Sequence, residues 1–299
     1  MEFDESYFIG EERAGFFVEE KMKRAWAAQL VVLKEIEKVC KKYGLKYYAG
    51  YGTMLGAVRH NGFIPWDDDI DIFMLRDDYD KLLKVFREEM PKEYILLNSY
   101  TDDNYTEVFS RIINSIKIDL TDQHMEKYFG CPYVVGIDIF PLDYLSRKPE
   151  EVELQYELYR IILWTKIRVI NKEEGVNELL DQIEELCKVK LDRNAPIVKQ
   201  LNILLDQIGS LYHSNESDEV TLIHSNCQGY TGRMKKEWFE KVAWLPFECT
   251  NIAVPGDYHN CLVALFGENY MVPVRSFPHD YPFYKSQDQL LQSVLNGKK

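Results

Sequence analysis

Apolar residues recur at helical spacing over residues 16–43: Met22, Trp26, Leu30, Leu33, Ile36, Cys40 and Tyr43. The opposite face carries Glu19, Glu20, Lys23, Lys34, Glu37 and Lys41. This spacing predicts one long amphipathic helix, ended by Gly44. A short strand is expected over 46–49. The Gly-rich run Gly50-Tyr51-Gly52-Thr53-Met54-Leu55-Gly56 then turns into a short helix ending near His60, and Asn61-Gly62 marks the next turn. Alternation of polar and apolar residues predicts a strand over 69–75, followed by a helix over 78–89. Further strands are expected over 94–99, 106–114, 116–120 and 133–140, the last stopped by Pro141. After Pro149 the spacing becomes helical over 150–171, 176–191 and 196–212. A charged, polar hinge follows at 214–219. The remainder predicts a strand over 247–254 and a helix opening after Pro255-Gly256 and running to Phe266.

Strands and helices so mixed predict an α+β fold. The change of character divides the chain into a core over 1–149, a helical insert or subdomain over 150–213, and a C-terminal part over 214–299 that packs back on the core. No internal repeat or low-complexity segment interrupts this order. The length of 299 residues is enough for one large domain or two smaller ones.

Composition narrows the function. The apolar fraction of 46% and charged fraction of 28% are ordinary for a globular protein. A net charge of −13 argues against nucleic acid as a partner, because such binding needs basic surface. The start Met1-Glu2-Phe3-Asp4-Glu5 lacks the basic and apolar regions of a signal peptide. No apolar stretch approaches the roughly 20 residues of a membrane span. A cytoplasmic location is expected. The six cysteines are scattered without a C-x-x-C pair and read as reduced thiols.

Candidate chemistry concentrates in Trp66-Asp67-Asp68-Asp69-Ile70-Asp71. Residues two apart on a strand share a face. Asp69 and Asp71 should therefore project together, with Asp67 joining from the strand's approach and Asp68 turned elsewhere. Ile70 and Ile72 face the core. Three carboxylates so close repel one another unless a cation sits among them. Hard oxygen ligands suit Mg²⁺ or Mn²⁺. A second expected strand places Asp138 between Ile137 and Ile139, as a further metal ligand or a general base. Asp143, beyond Pro141, reads as a turn or cap residue. Gly52 and Thr53 open a short helix, where backbone amides favour anions and a glycine lets phosphate approach. Arg59 and Arg111 either hold phosphate oxygens or form ordinary salt bridges. The sequence lacks a Walker A loop, a G-x-S-x-G and a dinucleotide G-x-G-x-x-G.

The run from Gly50 to Ile72, containing Gly52-Thr53 and Trp66-Asp67-Asp68-Asp69-Ile70-Asp71, resembles the LicD family, which includes the fukutin-type transferases. The resemblance continues at Phe109-Ser110-Arg111-Ile112 and at 135–143. It returns at Val254-Pro255-Gly256-Asp257-Tyr258, at 266–273 and at His279. It implies a nucleotidyltransferase-like fold, a mixed β-sheet flanked by helices, with paired carboxylates on one strand and a third on a neighbour. It also implies transfer of phosphocholine from CDP-choline to a hydroxyl of teichoic acid, lipopolysaccharide or capsule, with release of CMP. Asp67, Asp69, Asp71 and Asp138 would hold the metal, and Gly52, Thr53, Arg59 and Arg111 the donor phosphates. Arg111 stands where many relatives carry Lys. Two alternatives stay open. One is transfer of phosphoethanolamine, aminoethylphosphonate or a polyol phosphate; the other is non-catalytic binding of nucleotide or glycan. A choline head group calls for aromatic faces, and among 20 Tyr and 5 Trp the sequence selects none. A lipid-linked acceptor would bring the protein to the inner membrane face as a peripheral contact. The acidic balance disfavours attraction to anionic lipid.

Overall fold

The computed structural model describes residues 2–275 and 281–296. The N-terminal segment is a hairpin, β1 (Glu11–Arg13) and β2 (Phe16–Val18), turned at Ala14 and Gly15 with φ of 49° and 74°. The predicted first helix therefore begins later, as α1 (Glu20–Tyr43). The Ala14-Gly15 turn takes Phe16–Val18 into strand pairing, and helical geometry starts only after Glu19. Gly44, at φ 66°, ends α1 in the left-handed conformation.

Next come β3 (Tyr48–Ala49), α2 (Tyr51–His60), β4 (Ile70–Leu75), α3 (Arg76–Glu89), β5 (Ile95–Leu97), β6 (Ser110–Ile113), α4 (Asp122–Lys127) and β7 (Gly136–Tyr144). The expected strand at 116–120 is absent. Ile116 is exposed there, and a turn closed by Ser115 and Lys117 replaces extended pairing. Pro141 does not stop its strand. Residues 136–139 of β7 pair with β6, and 143–144 pair with a later strand, so Pro141 falls between these two antiparallel partners. The missing N–H is tolerated there. Asp143 is thus a buried strand residue rather than a cap.

The chain continues through α5 (Pro149–Ile170), α6 (Val176–Cys187) and α7 (Ile197–Gly209). Then follow β8 (Glu219–Thr221), α8 (Ile223–Asn226), β9 (Met234–Lys235), β10 (Val242–Phe247), β11 (Thr250–Pro255), α9 (Tyr258–Phe266) and α10 (Pro282–Asn296). The strand expected at 247–254 is the far half of a hairpin: β10 and β11 pair antiparallel around Glu248, at φ 52°.

The main sheet runs β3-β4-β7-β6-β5, with β8 and β9 continuing from the end of β7. Among the described residues, only β4 and β7 pair parallel in this sheet. One face carries Ile70, Ile72, Ile112, Ile137 and Ile139, all fully buried in the main core. A second apolar cluster holds Tyr156, Tyr159, Ile162, Ile183, Leu201 and Leu205 from α5, α6 and α7. Arg76 joins the two regions. It pairs with buried Asp143 on β7 at 2.6 Å and with Asp206 on α7 at 2.8 Å. No helix among the described residues is long and apolar enough to cross a membrane.

Candidate active site

The acidic run lies in the approach to β4 and at its start, fixed from behind by α1. Trp26 Nε1 donates to the carbonyl of Asp67 at 3.0 Å, and Gln29 Nε2 donates to that of Asp68 at 2.8 Å. The amide of Asp67 donates to the Ile64 carbonyl at 2.9 Å. The backbone is thereby held where Asp67, Asp68 and Asp69 line a cavity. Oxygens of Asp67, Asp68 and Asp69 lie within 4.8 Å of one another. Asp68 does not turn away from the group, contrary to the parity expectation. Residues 67–69 precede the first strand residue, Ile70, so the two-residue alternation does not yet govern them. Asp68 Oδ2 also accepts an amide from the first turn of α10, Tyr284 N–H, at 3.0 Å.

Asp71 is within β4, directly opposite Asp138 on β7, and Asp138 is directly opposite Arg111 on β6. These three side chains share the sheet face that looks away from the isoleucines. Arg111 and Asp138 form a two-pronged ion pair, with Nη2 to Oδ2 at 2.6 Å. Among the described residues, Asp67, Asp69 and Asp71 pair with no lysine or arginine.

Burial and mutual repulsion raise the proton affinity of the group. Burial, then the neighbouring Asp68 charge, lifts Asp67 to about 6. Asp69 and Asp71 are pushed well above the usual carboxylate range, first by burial and then by a neighbouring charge, that of Asp67 on Asp69 and that of Asp69 on Asp71. Asp138 is raised by burial, against the opposing pull of Arg111. Such a set gains stability from protons or from a cation. Its donors are hard carboxylate oxygens, a set that fits Mg²⁺ or Mn²⁺.

Helix α2 closes the site from the other side. A Cβ on Gly52 would meet Asp67 Oδ2 at 2.3 Å, so the glycine makes room for that carboxylate. The buried Thr53 hydroxyl accepts from the Asp71 amide at 2.9 Å, and Gly50 N–H donates to the Asp71 carbonyl at 2.8 Å. Thr53 thus ties the start of α2 to β4. The amides of the first helical turn have no intrahelical acceptor. Tyr51 takes φ 34°, an unusual value for a non-glycine residue. Its ring packs edge-on to Phe73 and Phe140, and its hydroxyl lies 3.5 Å from His224 Nε2 and 3.4 Å from Ser225 Oγ.

A cavity of about 560 Å³ opens over these groups. Its polar end holds Gly52, Asp67, Asp69 and Asp71; its other walls include Trp66, Phe266 and Tyr270. Arg59 lines it too, with Nη1 donating to the Tyr270 carbonyl at 2.9 Å and no ion pair among the described residues. A smaller cavity of about 170 Å³ borders Asp68, Asp69, Arg111 and Asp138. The wall at 266–274 was not singled out as site-forming by residue chemistry; the only sequence signal was the resemblance at 266–273. His224 and Ser225 carried no signal at all. His279 lies outside the described residues.

Residues 44–130 match the family described as LicD/FKTN/FKRP, nucleotidyltransferase domain. The chain is also 29% identical over 250 residues to a lipopolysaccharide cholinephosphotransferase LicD of Haemophilus influenzae. That alignment covers 82% of this chain and 89% of the relative. An uncharacterized protein of Rickettsia prowazekii is 32% identical over 99 residues, about a third of each chain. The matched stretch contains α2, the acidic run and Arg111, so residues 44–130 carry a LicD-type nucleotidyltransferase domain, and the longer alignment carries the likeness to a LicD cholinephosphotransferase across most of the molecule.

Proposed function

We propose that this protein transfers phosphocholine from a CDP-linked donor to a hydroxyl of a cell-surface glycan, releasing CMP. The observation that carries this reading is the carboxylate face beside the start of α2, in a chain alignable over most of its length with a lipopolysaccharide cholinephosphotransferase. Lipopolysaccharide is the acceptor that this relative favours; teichoic acid and capsule are the other glycans of the same chemistry.

Asp67, Asp69 and Asp71 would hold a divalent cation, Mg²⁺ or Mn²⁺, with Asp138 as the further ligand or as the base. Bound there, such a cation neutralises charge on the donor diphosphate and on the leaving nucleotide. The protein's own groups position the donor. The α2 amides around Gly52 and Thr53 face phosphate oxygens, and Arg59 supplies a cation from the cavity wall. Trp66, Phe266 and Tyr270 give the flat apolar surfaces on which a pyrimidine or a quaternary ammonium rests. A carboxylate of raised proton affinity at Asp138 suits removal of the acceptor hydroxyl proton.

Purified protein with Mg²⁺, CDP-choline and lipopolysaccharide should release CMP and label the glycan. CDP-ethanolamine and CDP-linked polyols in the same assay separate the choline reading from the other head groups. Binding of every CDP donor without turnover on any acceptor would favour a non-catalytic role.

A further inference from the structure

Arg111 stands at the edge of the carboxylate face, and its partner is already chosen. The β6–β7 register sets it opposite Asp138, and the β4–β7 register sets Asp138 opposite Asp71. Arg111 grips both oxygens of Asp138. It is also the cation that opposes the repulsion felt at Asp71. The other ionisable groups acting on it are Tyr105 and Glu107. The two ends of the pair differ in freedom. The Arg111 side chain is 37% exposed, whereas that of Asp138 is 9% exposed. The guanidinium has room to leave, and the carboxylate does not.

A divalent cation and a guanidinium cannot both sit against the same pair of carboxylate oxygens without strong repulsion. We propose that Arg111 is a resident counter-ion: it holds Asp138 in the metal-free protein and is exchanged for the divalent cation when the site is loaded. This rests on the metal reading given above. It makes Arg111 a positioning residue whose availability to donor phosphate depends on the cation, rather than a fixed phosphate ligand.

The test is Mn²⁺ binding without donor, followed by the electron paramagnetic resonance signal of free Mn²⁺. Arg111→Gln should tighten binding about tenfold or more, the usual worth of a charge-assisted hydrogen bond. Arg111→Lys, which keeps the charge but loses the fork, should fall between. The gain from Arg111→Gln should vanish when Asp138 is already Asn. An equal gain with and without Asp138 would reduce Arg111 to a general repulsive charge and overturn the exchange, as would no gain at all. Wild-type protein with no Mn²⁺ binding sensitive to Asp69→Asn would instead remove the metal reading, and this inference with it. A second readout needs no variant. The Nε–H of Arg111, bonded to Asp138, should be protected from exchange in the metal-free protein and should lose that protection on Mg²⁺ titration. Protection that persists at saturating Mg²⁺ overturns the proposal.

Discussion

A Cβ placed on Gly52 would stand 2.3 Å from Asp67 Oδ2 and 3.5 Å from its Cγ. Reaching a tolerated contact of 3.0–3.4 Å requires the carboxylate to retreat by 0.7–1.1 Å, the difference between those distances and 2.3 Å. The backbone of Asp67 cannot follow, because Ile64 and Trp26 hold both its N–H and its carbonyl. The side chain must rotate instead. Leaving its rotamer costs about 0.5–1.5 kcal/mol, while alanine for glycine in a helix returns up to about 1 kcal/mol. The fold should therefore barely notice Gly52→Ala. The site should notice it strongly, since a displacement of about 1 Å costs on the order of 100-fold in rate. Thermal unfolding, Mn²⁺ affinity and CMP release on one preparation separate the two effects. The expected result is a melting temperature within a few degrees of wild type, weakened Mn²⁺ binding and a rate near 1% of wild type. Turnover within about twofold of wild type would show that the place of Asp67 beside Gly52 does not matter to the chemistry.

Two further outcomes follow from the buried charges. Arg76→Met leaves Asp143 buried without its partner, and the loss should be about 3–5 kcal/mol by urea denaturation; a loss below about 1 kcal/mol would mean that the pair does not join β7 to its neighbours as described. The acidic group sets a pH dependence. Its carboxylates hold protons in the folded chain that the unfolded chain has released above about 4. Stability of the metal-free protein should therefore decline as pH rises through about 6, where Asp67 loses its proton, and continue to decline above it as Asp69 and Asp71 ionise. Mg²⁺ should flatten that slope. Burial holds His60 and His224 near 4, which adds stability with rising pH up to about 6.5, so a metal-free unfolding midpoint that climbs between about pH 6.5 and pH 8 would contradict the raised proton affinities.

Much of the fold was legible because periodicity reports burial directly. The apolar stripe of α1, the Asn61-Gly62 turn after α2 and the alternation of β4 each reflect one element's own packing. The misreadings needed information from elsewhere in the chain. Phe16–Val18 belongs to a hairpin because Glu11–Arg13 is there to pair with it. Pro141 survives inside β7 because that strand changes partners around it. Asp143 is buried because Arg76 arrives from α3. The site divides in the same way. Strand parity could place Asp71 and Asp138 on a common face. It could not reveal Asp68 beside Asp67 and Asp69, since the chain is not yet a strand there. Nor could it reveal that Arg111 grips Asp138, which depends on the register of two strands separated by α4 and its loops.

The central claim is metal-dependent transfer by the carboxylate face. Its most direct test is CMP release from CDP-choline in the presence of lipopolysaccharide, with and without a chelator, for wild type, Asp69→Ala and Asp71→Ala. The account predicts Mg²⁺-dependent release that chelation abolishes and that each substitution lowers by several orders of magnitude, about 10³-fold or more. Release that is indifferent to chelator, or that survives both substitutions, would contradict it.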